Sequence, residues 1–203
     1  MSLTILIIRH AEKPDDPDAP FPGPSFTEDG KIDPDKKSLV IRGWQRAGSW
    51  AALFGARFGG VDFPQPTAIY ALNPEGKGKD TSQRPFETIC PLAARLSIKP
   101  ITKYGLGEES DLVKEITELT GVILVSWEHK AIFQKILPAI AEDQFLHNLP
   151  TFWNANRFDV VLRFDRVGKK SPWSFRQLFP RLLAGDSDQP LPCAVGTTKA
   201  DSK

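Results

Sequence analysis

Cysteine is scarce in this chain: Cys90 and Cys193 are the only two in 203 residues. One lies in an apolar helical pattern and the other in a Pro-rich tail, which excludes a disulfide scaffold and points to a reducing cytoplasm. Histidine is nearly as scarce. Three histidines and two distant cysteines give no zinc-finger spacing and no H-x-x-x-H pair, so no metal and no cofactor are expected. Long apolar runs are missing too. No window approaches the ~18–20 apolar residues of a membrane span. Arg9, His10 and Glu12 interrupt the N-terminal apolar stretch too early for a secretory signal. Charge of one sign is not in excess: 26 Lys and Arg face 25 Asp and Glu, for a net charge of +1. Nothing global therefore selects nucleic acid or an anionic membrane as partner. Internal repeats, heptad arrays and interdomain linkers are absent, and the length fits one domain.

What is present is an alternation of strand and helix patterns. Leu3–Ile8, L-T-I-L-I-I, reads as a strand buried on both faces. Residues 14–38 form a long loop dense in Pro, Asp, Gly and Lys. Leu39 to Phe58 carries apolar residues at helical spacing, with Ser38 as a candidate cap and Gly59-Gly60 as the stop. Residues 67–72 read as a second strand. Arg84 to Leu96 reads as a helix with Pro85 in its first turn. Further strands are expected at 98–102 and 122–127, and helices at 111–119 and 131–142. Asp159–Arg166 alternates like a half-exposed strand and forms a hairpin with a short strand starting at Trp173. This order predicts an α/β domain over residues 1–184: a three-layer α/β/α sandwich with a mainly parallel central sheet and an antiparallel edge. The polar, Pro-rich residues 185–203 are expected to be a flexible tail.

The loop from Asn73 to Gln83 invites a nucleotide-loop reading, which fails. Gly78-Lys79 is followed by Asp80 where Ser or Thr is required, and Asn73 stands where the first Gly belongs. Element ends are more informative. The first strand ends in Arg9-His10, the second long helix begins at Arg84, and the strand over 122–127 runs into Glu128-His129. In a parallel sheet the carboxyl ends share one edge, and the following helices aim their N-termini there. Two arginines and two histidines therefore converge. Guanidinium forks suit phosphate oxygens. A neutral imidazole whose other nitrogen is held by a hydrogen bond is a nucleophile.

These residues resemble a known family. I-I-R-H-A-E-K is similar to the R-H-G signature of the histidine phosphatase (phosphoglycerate mutase-like) superfamily. S-Q-R-P-F-E-T, residues 82–88, resembles its S-x-x-x-R-A-x-Q-T motif. Residues 39–47, L-V-I-R-G-W-Q-R-A, resemble its L-T-x-x-G-x-x-Q-A helix, and V-S-W-E-H-K, residues 125–130, its V-S-H-G strand end. The motifs fall in family order across roughly residues 3 to 140.

The resemblance implies a metal-independent phosphatase acting on a phosphate monoester through phosphohistidine. His10 would be the nucleophile, Arg9 and Arg84 the phosphoryl clamp, and His129 a further contact to the phosphoryl group. The substrate would be a phosphorylated small molecule or a phosphoprotein. Mutase-type phosphoryl transfer and phosphate binding without turnover are the alternatives. The chain departs from the family at Ala11, where the family has Gly, and in its general acid. Glu108 (with Glu109 beside it), Glu128 and Glu12 are rival candidates for that proton donor. Arg42 and Arg46 read as surface charges, and His147 as a structural or exposed residue.

Overall fold

The computed structural model describes residues 1–14, 23–76 and 81–193. Strand β1 (Leu3–Arg9) is the middle of a five-stranded sheet because no residue of its apolar run needs water. Ile5, Leu6, Ile7 and Ile8 are all fully buried. β1 pairs in parallel with β5 (Gly121–Trp127), in a register that places Arg9 beside Trp127. β5 pairs in parallel with β4 (Ala68–Ala71). On its other side β1 pairs antiparallel with β6 (Val161–Arg166), which forms a hairpin with β7 (Ser174–Leu178). The strand order is β4-β5-β1-β6-β7. Only β6 therefore runs against the other four.

The two-residue period of β1 divides its side chains between two cores. Leu6 and Ile8 pack with Trp50, Phe54, Ile89 and Leu92, which belong to helices α1 (Ile41–Gly55) and α2 (Arg84–Leu96). Leu3, Ile5 and Ile7 pack with Leu112, Ile116, Ile132 and Ile136 on the opposite face. Those come from α3 (Glu109–Glu118) and from one helical stretch made of α4 (His129–Ala131), a π-helical segment (Ile132–Ile136) and α5 (Leu137–Ala141). The expected α/β/α sandwich is thus observed. Each fully buried Leu or Ile contributes about 1.5–3 kcal/mol, so the sheet is anchored from both sides.

Several local expectations change. Ser38 does not cap α1. Leu39–Val40 instead form β3, paired antiparallel with β2 (Ser25–Phe26), and the helix starts at Ile41. Burial of Leu39 and Val40 decides this over helical propensity. α1 ends at Gly55, before Gly59-Gly60. The strand expected at 98–102 is reduced to one bridge between Ile101 and Tyr70. The π-helical segment lies just before Pro138, whose ring and missing N–H break an α-helical register.

Residues 185–193, expected to begin the flexible tail, make contacts with the rest of the chain. Leu191 is buried, Ser187 donates its amide to Asp159, and Cys193 bridges to Pro150. Residues 194–203 lie outside the described residues, as do parts of the long loop (15–22) and of the 73–83 loop (77–80). No helix among the described residues is long and apolar enough to cross a membrane.

Candidate active site

The carboxyl ends of β1, β4 and β5 lie along one edge because the three strands are parallel neighbours. Arg9 closes β1 and is fully buried. Its Nη1 donates to the carbonyl oxygens of Ala155 (2.5 Å), Arg157 (3.0 Å) and Asn154 (3.3 Å). Its guanidinium carbon sits 3.9 Å from the centre of the Phe158 ring. The segment before β6 thereby fixes a charge that has left bulk water.

His10 follows, also buried. Its amide donates to the Trp127 carbonyl at 3.1 Å, tying the end of β1 to the end of β5. Its Nδ1 lies 2.8 Å from the Ala11 carbonyl oxygen. A carbonyl only accepts, so Nδ1 carries the proton and Nε2 carries the lone pair. Burial, then the charges of Arg9 and Arg84, hold the His10 pKa well below 6.5, with a smaller contribution from His129.

The first turn of α2 supports this group. Ala11 donates its amide to Thr88 Oγ1 at 2.8 Å, and that hydroxyl donates to the Arg84 carbonyl at 2.7 Å. Arg84 Nη1 donates to the Lys36 carbonyl at 2.9 Å. Arg84 Nε is buried and has no hydrogen-bond partner among the described residues. Burial lowers the Arg84 pKa, while Glu87, Asp33 and Glu128 act to raise it. A desolvated guanidinium with an unmet donor is a place for an anion.

His129 begins α4 beyond β5. Its Nδ1 is 2.7 Å from Glu128 Oε1, a short contact that is poorly aligned for a hydrogen bond. Glu128 caps that helix, with Oε2 accepting from the Ala131 amide at 2.9 Å. Burial opposes its charge, but His129 and the Ala131 and Lys130 amides outweigh burial and bring its pKa to about 2. It carries no proton at neutral pH, which counts against Glu128 as the acid.

Glu12 is committed elsewhere as well. Both its oxygens accept from Arg46, at 2.8 to 3.1 Å, and Arg42 Nε lies 3.3 Å away. Arg46 also forms a two-point pair with Asp186 at 2.7 and 3.0 Å. Arg42 and Arg46 are thus buried, correcting their reading as surface charges. A helical period cannot reveal that a polar face is covered by a segment ~140 residues later. Glu108 is exposed and lines a cleft with Leu72, Asn73, Thr81 and Lys103, and its Oε2 accepts from the Gly105 amide at 2.7 Å. Glu109 turns inward to Trp127 Nε1 (3.3 Å) and Lys135 (3.2 Å). His147 is exposed, against Phe145.

Thr88, Glu87, Arg46, the carbonyls of Asn154, Ala155 and Arg157, and the Phe158 ring are parts of the site's support that no role was assigned to from sequence. Thr88 and Glu87 lie within the 82–88 motif, and that motif was the available signal. Gly43, in the 39–47 motif, has a physical reason to be Gly: a Cβ there would sit 2.6 Å from the Glu12 carbonyl oxygen.

No family model matches the sequence, and no curated protein matches it. A solved structure does match the fold: the protein histidine phosphatase SixA, complexed with tungstate, aligns over 87% of this chain and 97% of its own, at TM-score 0.50 and 12% identity. This chain shares the fold of that structure. At that identity the likeness extends to the fold and not to the chemistry. Within this fold, Arg9 and His10 sit at the end of the central strand and Arg84 at the start of a flanking helix.

Proposed function

We propose that this chain is a phosphatase that hydrolyses a phosphate monoester through phosphohistidine, without a metal. The observation that carries this reading is His10 itself. It is buried, neutral and held by the Ala11 carbonyl through Nδ1, with the charges of Arg9 and Arg84 beside it. Nε2 attacks phosphorus, an N–P bond forms, and the P–O bond to the leaving group breaks. The leaving alkoxide takes a proton from an acid or from water. Water then attacks phosphorus, the N–P bond breaks, its electron pair returns to Nε2, and inorganic phosphate leaves. Arg9, Arg84 and His129 neutralise the charge on the phosphoryl oxygens, which is the main requirement of such a transfer. The substrate is a phosphorylated small molecule or a phosphoprotein. The fold neighbour, named as a protein histidine phosphatase, supports the phosphatase reading at the level of fold.

One observation favours a second reading, phosphate binding without turnover: Glu12 and Glu128 are both engaged in other bonds. Of the three acid candidates, Glu108 is left facing a cleft. Phosphate release from p-nitrophenyl phosphate, in EDTA, separates the two readings. The phosphatase reading expects turnover by the wild type, none by His10→Ala, and a trapped phosphoryl group on His10. Equal rates for the two proteins would leave the binding reading in place.

A further inference from the structure

Glu87 is a buried acid that the proposed chemistry does not use. It lies one helical turn after Arg84 on α2, and its Oε2 accepts the Leu39 amide at 2.9 Å. The segment it grips is the one that receives Arg84. Arg84 Nη1 donates to the Lys36 carbonyl, and the Gln83 amide donates to the Lys37 carbonyl at 3.2 Å. Asp33 shapes the same strap by accepting the amides of Asp35, Lys37 and Ser38 at 2.8 to 2.9 Å. Lys36 adopts a left-handed backbone with φ 56°. A non-Gly residue in that region is strained and persists where its surroundings over-determine it. The strain thus sits at the carbonyl that fixes the guanidinium. At its far end the strap returns to the nucleophile's loop, because Val40 donates its amide to the Glu12 carbonyl at 3.2 Å.

We propose that Glu87 is a positioning residue for Arg84, holding the guanidinium beside His10 by gripping the Lys36–Leu39 strap. The proposal rests on the phosphate-clamp reading above. The groups around Glu87 are Arg84 and Cys90 on its own helix, and Asp33, Ser38 and Glu28 on the covering loop. Burial first, then Asp33, push the Glu87 carboxyl up, while Ser38, the Leu39 amide and Arg84 pull it down, leaving it at about 7. Near neutral pH the strap is therefore held by a group that switches charge. Above that pH the carboxylate competes with a bound anion for the field of Arg84. Below it the neutral carboxyl leaves that field to the ligand.

The test compares wild type, Glu87→Gln and Glu87→Ala by the dissociation constant for inorganic phosphate, from about pH 5.5 to 8.5, together with KM and kcat for p-nitrophenyl phosphate. The Gln side chain keeps an oxygen for the Leu39 amide and loses the charge. Glu87→Ala is expected to weaken phosphate about tenfold, as when one charge-assisted hydrogen bond is misaligned, and to raise KM more than it lowers kcat. Glu87→Gln is expected to restore phosphate affinity. The ratio of wild-type to Gln dissociation constants, in which the titration of phosphate itself cancels, is expected to rise through about pH 7. A Glu87→Ala protein that binds phosphate like wild type, or a ratio flat in pH, overturns the proposal. If Glu87→Ala does not fold, the ratio still decides. Wild type that binds no phosphate overturns the clamp reading and this proposal with it. Wild type that binds phosphate without turnover overturns the phosphatase reading alone.

Discussion

Arg46 Nη2 stands 2.8 Å from Glu12 Oε1, with both side chains almost wholly buried. The same guanidinium holds Asp186 from the C-terminal segment. Burial opposes charge on Arg46, but Asp186 and Glu12 more than offset it and keep the pKa above its ordinary value. One cation thus joins the loop after His10, helix α1 and residues 182–187. Arg46→Ala is expected to destabilise the fold by about 3 kcal/mol, because Asp186 loses its buried counter-charge and Glu12 is left with Arg42 alone. Chemical denaturation measures this, and a loss below about 1 kcal/mol would show that water reaches the network.

The C-terminal segment is a working part of the domain. Asp186 accepts from Arg46 and from the Leu183 amide, and Asp159 holds both Arg157 and the Ser187 amide. Arg157 in turn offers its carbonyl to Arg9. Asp186→Asn is expected to cost about 1–3 kcal/mol through the weakened charge-assisted bonds. Deletion from residue 182 onward is expected to cost more, and to lower phosphate affinity through Arg9. Protection of the 154–158 amides in hydrogen exchange reports that link directly.

His10 sets a pH limit on the proposed reaction. Its pKa lies well below 6.5 because burial and two arginines disfavour the imidazolium. The nucleophile is therefore neutral across the physiological range, and the acid limb of kcat/KM is expected below 6.5. The stability sign follows the same shift. The unfolded chain binds a proton at 6.5 that the folded chain refuses, so stability falls as pH drops through that value. His10→Gln is expected to remove activity and to lessen this acid sensitivity, read from urea midpoints at several pH values.

Glu128 contributes in the opposite way from a proton donor. Its pKa falls from 4.5 to about 2 in the folded chain. Its stabilisation is full above 4.5 and is lost as pH falls toward 2. The shift corresponds to about 3 kcal/mol at most, and partial exposure reduces it to about 1–2 kcal/mol. Glu128→Gln is therefore expected to be less stable than wild type near neutral pH and nearly equal to it at the acid end. A variant that loses the same stability at every pH would assign the effect to the helix cap alone.

The sequence by itself determined the layered α/β fold and the positions of Arg9 at the end of the first strand, Arg84 at the start of a helix and His129 just past a parallel strand. These follow from local periodicity and from the rule that parallel strands end together, both readable within ten or fifteen residues. Helix α2 matches its expected span for that reason. The tertiary structure alone decided which carboxylates are engaged. Glu12 and Arg46 are separated by 34 residues, and Arg46 and Asp186 by 140. No local pattern encodes such a partner, since an arginine on a polar helix face looks the same whether water or a distant chain segment covers it. The acid candidates were equally ambiguous in sequence because protonation depends on burial and neighbours, which exist only once the chain has folded.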